Sequence, residues 1–267
     1  MLVHLIADYG AGDLAFAEVR QRIAIALPDA EVHTTPVAPF DTLAAGFCAA
    51  QLALAQGPAD RLVIHNVAPR CDHPGPRPGN EGERFCAGRT EHGVLVGGPN
   101  SGYSFSFSGP ELHGLCYLNV PASGSQFRSR NVLPHALPGL VAHHEHVVGE
   151  PVPRERIPAV PDGVIAYVDG YGNLKTTLSE APAPAGARVL VRIGAASATA
   201  IVTDGTFAVA EGELALAPGS SGWRSRPGGF RRFYELFLRG GSAAQRFGNP
   251  PSGSSVHVEP AEPKGAG

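Results

Sequence analysis

The first 67 residues alternate apolar runs with amphipathic stretches, and this alternation limits the fold more than any other feature. The apolar runs have strand length, and the stretches between them carry apolar residues at helical spacing. The predicted strands cover 3–7, 32–37 and 62–67, and the predicted helices cover 14–27 and 42–55. Alternation at this spacing favours parallel pairing through crossover helices. The sequence therefore predicts an α/β N-terminal domain, residues 1–150, with a mainly parallel sheet and flanking helices.

The pattern changes after residue 150. The stretch GEPVPRERIPAVP is rich in proline and charge, which predicts a linker over 151–161. Beyond it, short β-like runs replace helical periodicity and predict a smaller all-β, barrel-like C-terminal domain over 162–259. Residues 260–267 are predicted to be a disordered tail.

Composition limits the partners. A net charge of −3 and a pI of about 6.4 provide no basic field for nucleic acid or anionic lipid. The sequence contains no run of eighteen apolar residues, so no membrane span is predicted, and the N-terminus lacks a signal-peptide pattern. The four cysteines form no CxxC pair. We expect a cytoplasmic protein with free thiols that binds neither nucleic acid nor membrane.

Polar residues at strand ends are the first candidate site. Asp8 follows the first strand, where open α/β sheets place ligands, and its carboxylate can accept two hydrogen bonds from a ribose diol or stabilise a turn. Asp169 and Asn173 flank a tight turn after a later strand. They can present an acceptor and an amide to a ligand, or they can be ordinary turn residues.

Several segments, in order along the chain, resemble one family. They are IADYGAGDLAFAEVRQRI, VGGPNSG, SQFRSRNVLPHALPGLVAHH, VIAYVDGYGNLKTTL, LAPGSSG and RGGSAAQRFG, and they span residues 3–248. Together they resemble the S-adenosylmethionine hydroxide adenosyltransferases, relatives of the fluorinase and chlorinase. The resemblance implies an α/β domain joined to a small β-barrel. It also implies a homotrimer with sites between the first domain of one subunit and the second domain of its neighbour.

The resemblance also implies roles for individual residues. S-adenosylmethionine would be the substrate, with no further cofactor and no metal, and displacement at its 5′ carbon by water or hydroxide would give adenosine and L-methionine. Asp8 would hold the ribose hydroxyls, Asp169 the methionine ammonium and Asn173 the adenine. Ser221, or its neighbour Ser220, would meet the methionine carboxylate. The loop with Ser242 and Ala243 would face the adenine edge.

The residues that would activate water depart from the family pattern. Ala68 stands where the family has an aspartate, and Arg128 stands where it has a histidine. An arginine is kept as Arg84, and Ser129 falls where the halogenases carry a serine. Three interpretations follow. In the first, Asp72, His73 or His65 replaces the lost base. In the second, an anion such as a halide is the nucleophile near Arg128 and Ser129. In the third, the protein binds S-adenosylmethionine without turnover.

Other clusters carry weaker hypotheses. Histidine and acidic residues near the inserted loop could supply a base or bind zinc, and the candidates are His65, Cys71, Asp72 and His73. A second histidine-rich patch contains His143, His144 and His146. Neither has a known ligand spacing, so no metal site is predicted. Lys175 follows Asn173 where the family often has an apolar residue, and the insertion at 222–232 brings four arginines.

Overall fold

The computed structural model describes residues 1–70, 74–226 and 228–261. The chain separates into two compact units, unit 1 from Met1 to Ala159 and unit 2 from Val160 to Gly267. The sequence-based linker at 151–161 therefore spans the division between the units. Most of the predicted tail, residues 262–267, lies outside the described residues.

Unit 1 contains one sheet with helices packed on it. Its elements, in chain order, are β1 (Leu2–Ala7), α1 (Leu14–Ala26), β2 (Glu31–Pro36), α2 (Thr42–Leu54), β3 (Arg61–Asn66), β4 (Phe85–Thr90), β5 (Leu95–Pro99), β6 (Leu112–Leu118), α3 (Arg128–Asn131), α4 (Leu133–Val141) and β7 (Val148–Pro151). The seven strands have the order β2-β1-β3-β5-β4-β6-β7.

Local sequence explains the first helices. The Asp13 side chain caps α1 by accepting a hydrogen bond from the Ala15 N–H at 2.8 Å, and Asp41 caps α2 in the same way. The buried face of α1, with Val19 and Ile23, joins the core cluster that also contains strand residues of β1 and β3. The helix is held mainly by this apolar burial.

The sheet of unit 1 is mixed, and this overturns the predicted parallel sheet. Parallel pairing links β2, β1, β3 and β5, whereas β4 pairs antiparallel with both β5 and β6, and β7 pairs antiparallel with β6. The reason is the connection between β4 and β5, a tight turn that includes Gly93 at φ 81°. Such a short turn can join only antiparallel strands, because a parallel crossover needs a longer connection.

Unit 2 contains a second sheet of seven strands. Its elements are β8 (Ile165–Val168), β9 (Leu174–Thr176), β10 (Arg188–Ile193), β11 (Ala196–Val202), β12 (Leu214–Arg224), β13 (Phe230–Leu238), α5 (Ala243–Arg246) and β14 (Val256–Pro260). The strand order is β14-β10-β11-β12-β13-β9-β8, and an isolated bridge pairs Val164 with Ser255. This sheet is also mixed, since β11 and β12 run parallel.

The predicted fold class is therefore wrong. The protein is mostly β, with two mixed seven-stranded sheets and few helices, instead of an α/β domain with a mainly parallel sheet and a smaller all-β domain. The prediction assumed that the strand–helix alternation of the first 67 residues continues through the whole domain. In the structure the alternation stops at β3, which is followed by β4, β5 and β6. Within the described residues, no helix is both long enough and apolar enough to cross a membrane.

Candidate functional site

One pocket of unit 1 opens beyond the carboxyl ends of β1 and β3. It has a volume of about 400 Å³, which is within the range of small-molecule sites. Polar residues from four separate segments line it together with aromatic rings, and those used below are Asp8, Tyr9, Phe40, Asn66, Ala68, Arg70, Asn80, Glu81, Glu83, Phe85, Arg128 and Ser129. We call this cavity the unit 1 pocket.

Asp8 fixes one wall of the unit 1 pocket. Its Oδ2 accepts a hydrogen bond from the Phe40 N–H at 2.9 Å, which holds the loop after β2. Phe40 has φ 62° and its side chain is 53% exposed, so an aromatic face is available beside the carboxylate. The left-handed region is costly for a residue with a side chain. Arg70 and Asn80, at φ 62° and 57°, share this conformation and also line the pocket.

Tyr9 and Ser129 form the floor of the pocket. The Tyr9 hydroxyl and Ser129 Oγ are 2.7 Å apart, and the ring of Tyr9 packs edge-on against Phe127. Asn66, at the end of β3, lies close enough to influence the Tyr9 phenol. Burial raises the pKa of the Tyr9 phenol well above its ordinary value, and the nearby Asp8 carboxylate adds to the rise. Tyr9 is therefore a neutral hydrogen-bonding group.

Arg128 carries the unsatisfied donors of the pocket. Its Nη1 donates to the Glu83 carbonyl oxygen at 2.7 Å, and its guanidinium lies 4.6 Å from the Phe85 ring centre. Its Nε and Nη2 are buried and have no hydrogen-bond partner in the described part of the chain. Burial lowers the pKa of Arg128, while Glu83 and Glu81 oppose this effect. These two N–H groups form the edge of a guanidinium that binds carboxylate or phosphate bidentately.

Glu83 brings a buried carboxylate to the loop that contains Ala68. The residue is 8% exposed, and its Oε1 accepts a hydrogen bond from the Arg70 N–H at 3.2 Å. Arg70 is two residues beyond Ala68, and all three residues line the pocket. The position of the aspartate expected from the family pattern thus has a carboxylate close by, supplied from the segment before β4.

Arg84 is separated from the other predicted catalytic residues. Its Nη1 is 2.5 Å from Glu150 Oε1, and its guanidinium stacks over the Tyr117 ring at 3.7 Å. Arg84 lines a second cavity of about 260 Å³, which it shares with Arg128, and is absent from the lining of the unit 1 pocket. The structure thus places Arg128 and Ser129 with Asp8, and places Arg84 next to that group.

The histidines and cysteines of the sequence hypotheses give no second site. His65 is fully buried on β3, and the described residues offer its two ring nitrogens no hydrogen-bond partner. Burial lowers the pKa of His65 to about 3, so the ring is neutral. Cys71, Asp72 and His73 lie outside the described residues. His143, His144 and His146 lie near one another, but no group of three potential metal ligands occurs within the described ranges.

The predicted ligand residues of unit 2 bond to one another. Asp169 Oδ1 accepts hydrogen bonds from the Tyr171 and Asn173 N–H groups, each at 3.0 Å. Asp169 Oδ2 accepts a third from the Asn173 side-chain amide, also at 3.0 Å. The Asn173 amide that was predicted to hold adenine therefore closes the turn, which is the ordinary role of such residues.

Lys175 places a cation between two carboxylates. Its Nζ is 2.9 Å from Glu235 Oε1 and 3.8 Å from Asp169 Oδ2, and the Lys175 and Glu235 side chains are 10% and 1% exposed. Glu235 Oε1 also accepts the Ser221 N–H at 3.4 Å. The carboxylate predicted to meet a methionine ammonium thus already faces the chain's own ammonium. We call Asp169, Asn173, Lys175, Ser221 and Glu235 the unit 2 network.

Ser242 and Ala243 are held in the same unit. Ser242 Oγ accepts a hydrogen bond from the Gln245 N–H at 3.1 Å and caps the short helix α5. Ala243 is fully buried, and the Ala244 N–H donates to the Gly172 carbonyl oxygen at 2.8 Å. Gly172 is at φ 79°, and a Cβ there would collide with Ser242, so the turn after β8 requires glycine. The Ala244 N–H, one of the backbone groups predicted to face the adenine edge, thus links α5 to this turn.

Sequence reasoning missed several residues of the unit 1 pocket. Asn66 ends β3, and the rule that selected Asp8 at the end of β1 would also have selected it. Tyr9 is adjacent to Asp8, but its bond to Ser129 joins residues far apart in sequence. Glu83 lies in the inserted loop 70–83 and has no local signal. Its contact with Arg70 depends on how that loop folds.

Two solved structures share this fold. An uncharacterized conserved protein from Thermotoga maritima aligns with a TM-score of 0.73 at 17% sequence identity, covering 96% of this chain and 100% of that chain. A conserved hypothetical protein from Thermus thermophilus aligns with a TM-score of 0.68 at 23% identity, covering 96% of this chain and 99% of that chain. No protein-family model and no curated protein sequence matches the chain. At these identities the likeness is one of fold alone.

Proposed function

We propose that the unit 1 pocket binds the adenosyl group of S-adenosylmethionine and that the protein transfers this group to a small nucleophile. Water or hydroxide as the nucleophile gives adenosine and L-methionine. The observation that carries the proposal is the meeting of Asp8, Ser129 and Arg128 in one pocket at the carboxyl ends of parallel strands. These residues come from segments that resemble the hydroxide adenosyltransferases.

The contacts of the pocket suit a nucleoside. Asp8 Oδ1 accepts no hydrogen bond from the described residues, so it is available to the ribose hydroxyls, while Oδ2 holds Phe40. The exposed ring of Phe40 offers a stacking surface to a purine. Strained residues around the pocket, Phe40, Arg70 and Asn80, support a binding role for these loops.

The reaction depends on correct positioning of the nucleophile more than on acid catalysis. The sulfur of S-adenosylmethionine is a sulfonium, and methionine departs from it as a neutral thioether. The leaving group therefore needs no proton. Alignment of the nucleophile with the C5′–S bond, and exclusion of bulk water, lower the barrier. The proposal includes a homotrimer in which unit 2 of a neighbouring subunit completes the site, and a cytoplasmic location.

Arg128 favours an anion as an alternative nucleophile. Its two buried N–H donors, which have no partner among the described residues, lie beside Ser129, and an anion needs no base. The unit 2 network favours the other alternative, a protein that binds without turnover. Asp169 already contacts Lys175, which weakens its capacity to orient a methionine ammonium.

Product analysis of the purified protein tests the proposal. Incubation with S-adenosylmethionine, with and without chloride or fluoride, is followed by chromatography of the nucleosides. Adenosine supports hydrolysis, and a halogenated nucleoside supports anion attack. Binding in calorimetry without either product contradicts transfer.

Asp8→Asn tests the location of the site. We expect its affinity for S-adenosylmethionine to fall about 100-fold or more, because a charged hydrogen-bond acceptor of the ribose is lost, at 1.4 kcal/mol per tenfold. Asp29→Asn, at an exposed position in unit 1, is the matched control and should bind like the wild type. Unchanged affinity in Asp8→Asn would show that the ligand is bound elsewhere.

A further inference from the structure

We infer that Glu83 is the general base that removes a proton from the attacking water. The inference rests on the proposed function. It starts from the carboxylates of the unit 1 pocket, which among the described lining residues are Asp8, Glu81 and Glu83. A water nucleophile needs a proton acceptor within the site, and the neutral histidine His65 is absent from the lining.

Position separates the three carboxylates. Asp8 is committed to the Phe40 N–H and to the proposed ribose contact. Glu81 is exposed, so bulk water surrounds it. Glu83 is 8% exposed, and the hydrogen bond from the Arg70 N–H to its Oε1 fixes the carboxylate in the pocket wall. No hydrogen bond from the described residues reaches Oε2, which leaves this oxygen for a water molecule.

The neighbours of Glu83 also suit the role. Arg128 Nη1 donates to the Glu83 backbone carbonyl oxygen, and the Glu83 carboxylate is near enough to act on the pKa of Arg128. Ala68, two residues before Arg70, lines the same pocket and brings only a methyl group to it.

The proposed step balances as follows. The water oxygen attacks C5′ while the C5′–S bond breaks, and the electron pair of that bond leaves with neutral methionine. Glu83 Oε2 takes one proton from the water, and the oxygen becomes the 5′ hydroxyl of adenosine. Glu83 then releases the proton to solvent.

Glu83→Gln is the decisive variant because its amide oxygen can still accept the Arg70 N–H. We expect kcat for adenosine formation to fall about 100-fold or more, with little change in the affinity for S-adenosylmethionine. Glu91→Gln, at an exposed position in the turn between β4 and β5 and outside the lining of the unit 1 pocket, is the control and should keep the wild-type rate. A role as a loop anchor alone would leave Glu83→Gln active, and this result would overturn the inference.

Chemical rescue provides the second measurement. Glu83→Ala with added formate should regain adenosine formation in proportion to the formate concentration, because a small carboxylate can take the vacated position. Thermal unfolding of both variants shows whether they are folded. If formate does not restore adenosine formation by a folded Glu83→Ala, Glu83 is not the base. The same conclusion follows if Glu83→Gln loses activity only through weaker binding of S-adenosylmethionine. A wild-type protein that forms neither adenosine nor a halogenated nucleoside defeats the proposed function itself. A wild type that forms only a halogenated nucleoside, or an active wild type with an equally active Glu83→Gln, defeats only the inference.

Discussion

The unit 1 pocket and the unit 2 network, whose residues were predicted to contact one ligand, differ in how far their polar groups are hydrogen-bonded. In the unit 1 pocket, Arg128 leaves two buried donors without partners among the described residues. Counting only donors from that same part of the chain, Asp8 and Glu83 each accept hydrogen bonds at one carboxylate oxygen. In the unit 2 network, Asp169 accepts three hydrogen bonds and contacts a lysine, and Lys175 is paired with Glu235.

This difference distinguishes a site from a structural turn. Buried polar groups normally have partners, so groups left unsatisfied at a cavity are candidates for ligand contacts, while a saturated network indicates a role in the fold. Glu235 Oε2 is an exception within the unit 2 network, since it is buried and the described residues give it no partner. The comparison therefore favours unit 1 over the unit 2 network as the location of the proposed ligand site.

The largest effect is expected at the centre of the unit 2 network. Lys175→Met leaves Asp169 and Glu235 facing each other without a cation, and breaking a buried ion pair costs about 3–5 kcal/mol. Guanidinium denaturation measures the loss. The double variant Lys175→Met/Glu235→Leu should recover most of it, because an apolar pair replaces the ion pair.

Ligand binding by Lys175→Met makes the comparison sharper. If the network is structural, the affinities for S-adenosylmethionine and for adenosine stay as in the wild type. A selective gain for S-adenosylmethionine would show that Asp169, freed from Lys175, accepts the methionine ammonium. That result would break the division between the two regions.

The second effect concerns His65, a buried ring of unit 1 whose nitrogens have no partner among the described residues. Burial lowers its pKa to about 3, below the ordinary value of 6.5. Between these two values the unfolded chain binds a proton that the folded chain does not, so stability falls as the pH falls below 6.5. From pH 7 to pH 4 this costs the wild type about 3 kcal/mol, at 1.36 kcal/mol per pKa unit.

His65→Leu should remove this part of the acid sensitivity. Denaturation of wild type and variant at pH 7 and pH 4 measures it, and the exposed control His92→Gln should behave like the wild type. Equal acid losses in His65→Leu and wild type would show that His65 gains a partner or a proton in the fold.

The smallest effect is expected at Ser242. Ser242→Ala removes the cap of α5, which should cost about 1 kcal/mol of unfolding free energy and leave the affinity for S-adenosylmethionine unchanged. Ser129→Ala, in the unit 1 pocket, is the matched variant and should lower that affinity. If Ser242→Ala weakens binding as much as Ser129→Ala does, α5 belongs to the site.

Sequence reasoning located the elements that local patterns specify. The helices α1 and α2 follow from apolar spacing and aspartate caps, and the strand end at Asp8 follows from an apolar run that stops. It missed β4, whose sequence FCAGRT has neither alternation nor a long apolar run. The first sheet is mixed because β4 pairs antiparallel on both sides and β7 pairs antiparallel with β6.

The sequence by itself determined where chemically capable side chains occur, since Asp8, Arg128 and Ser129 follow from strand ends and from the family pattern. Only the tertiary structure decided which of them meet and which are already used. Lys175 and Glu235 are 60 positions apart, and Glu83 reaches Arg70 across the inserted loop. Such contacts depend on sheet pairing and loop closure between distant segments, and a local pattern of residues carries no information about either.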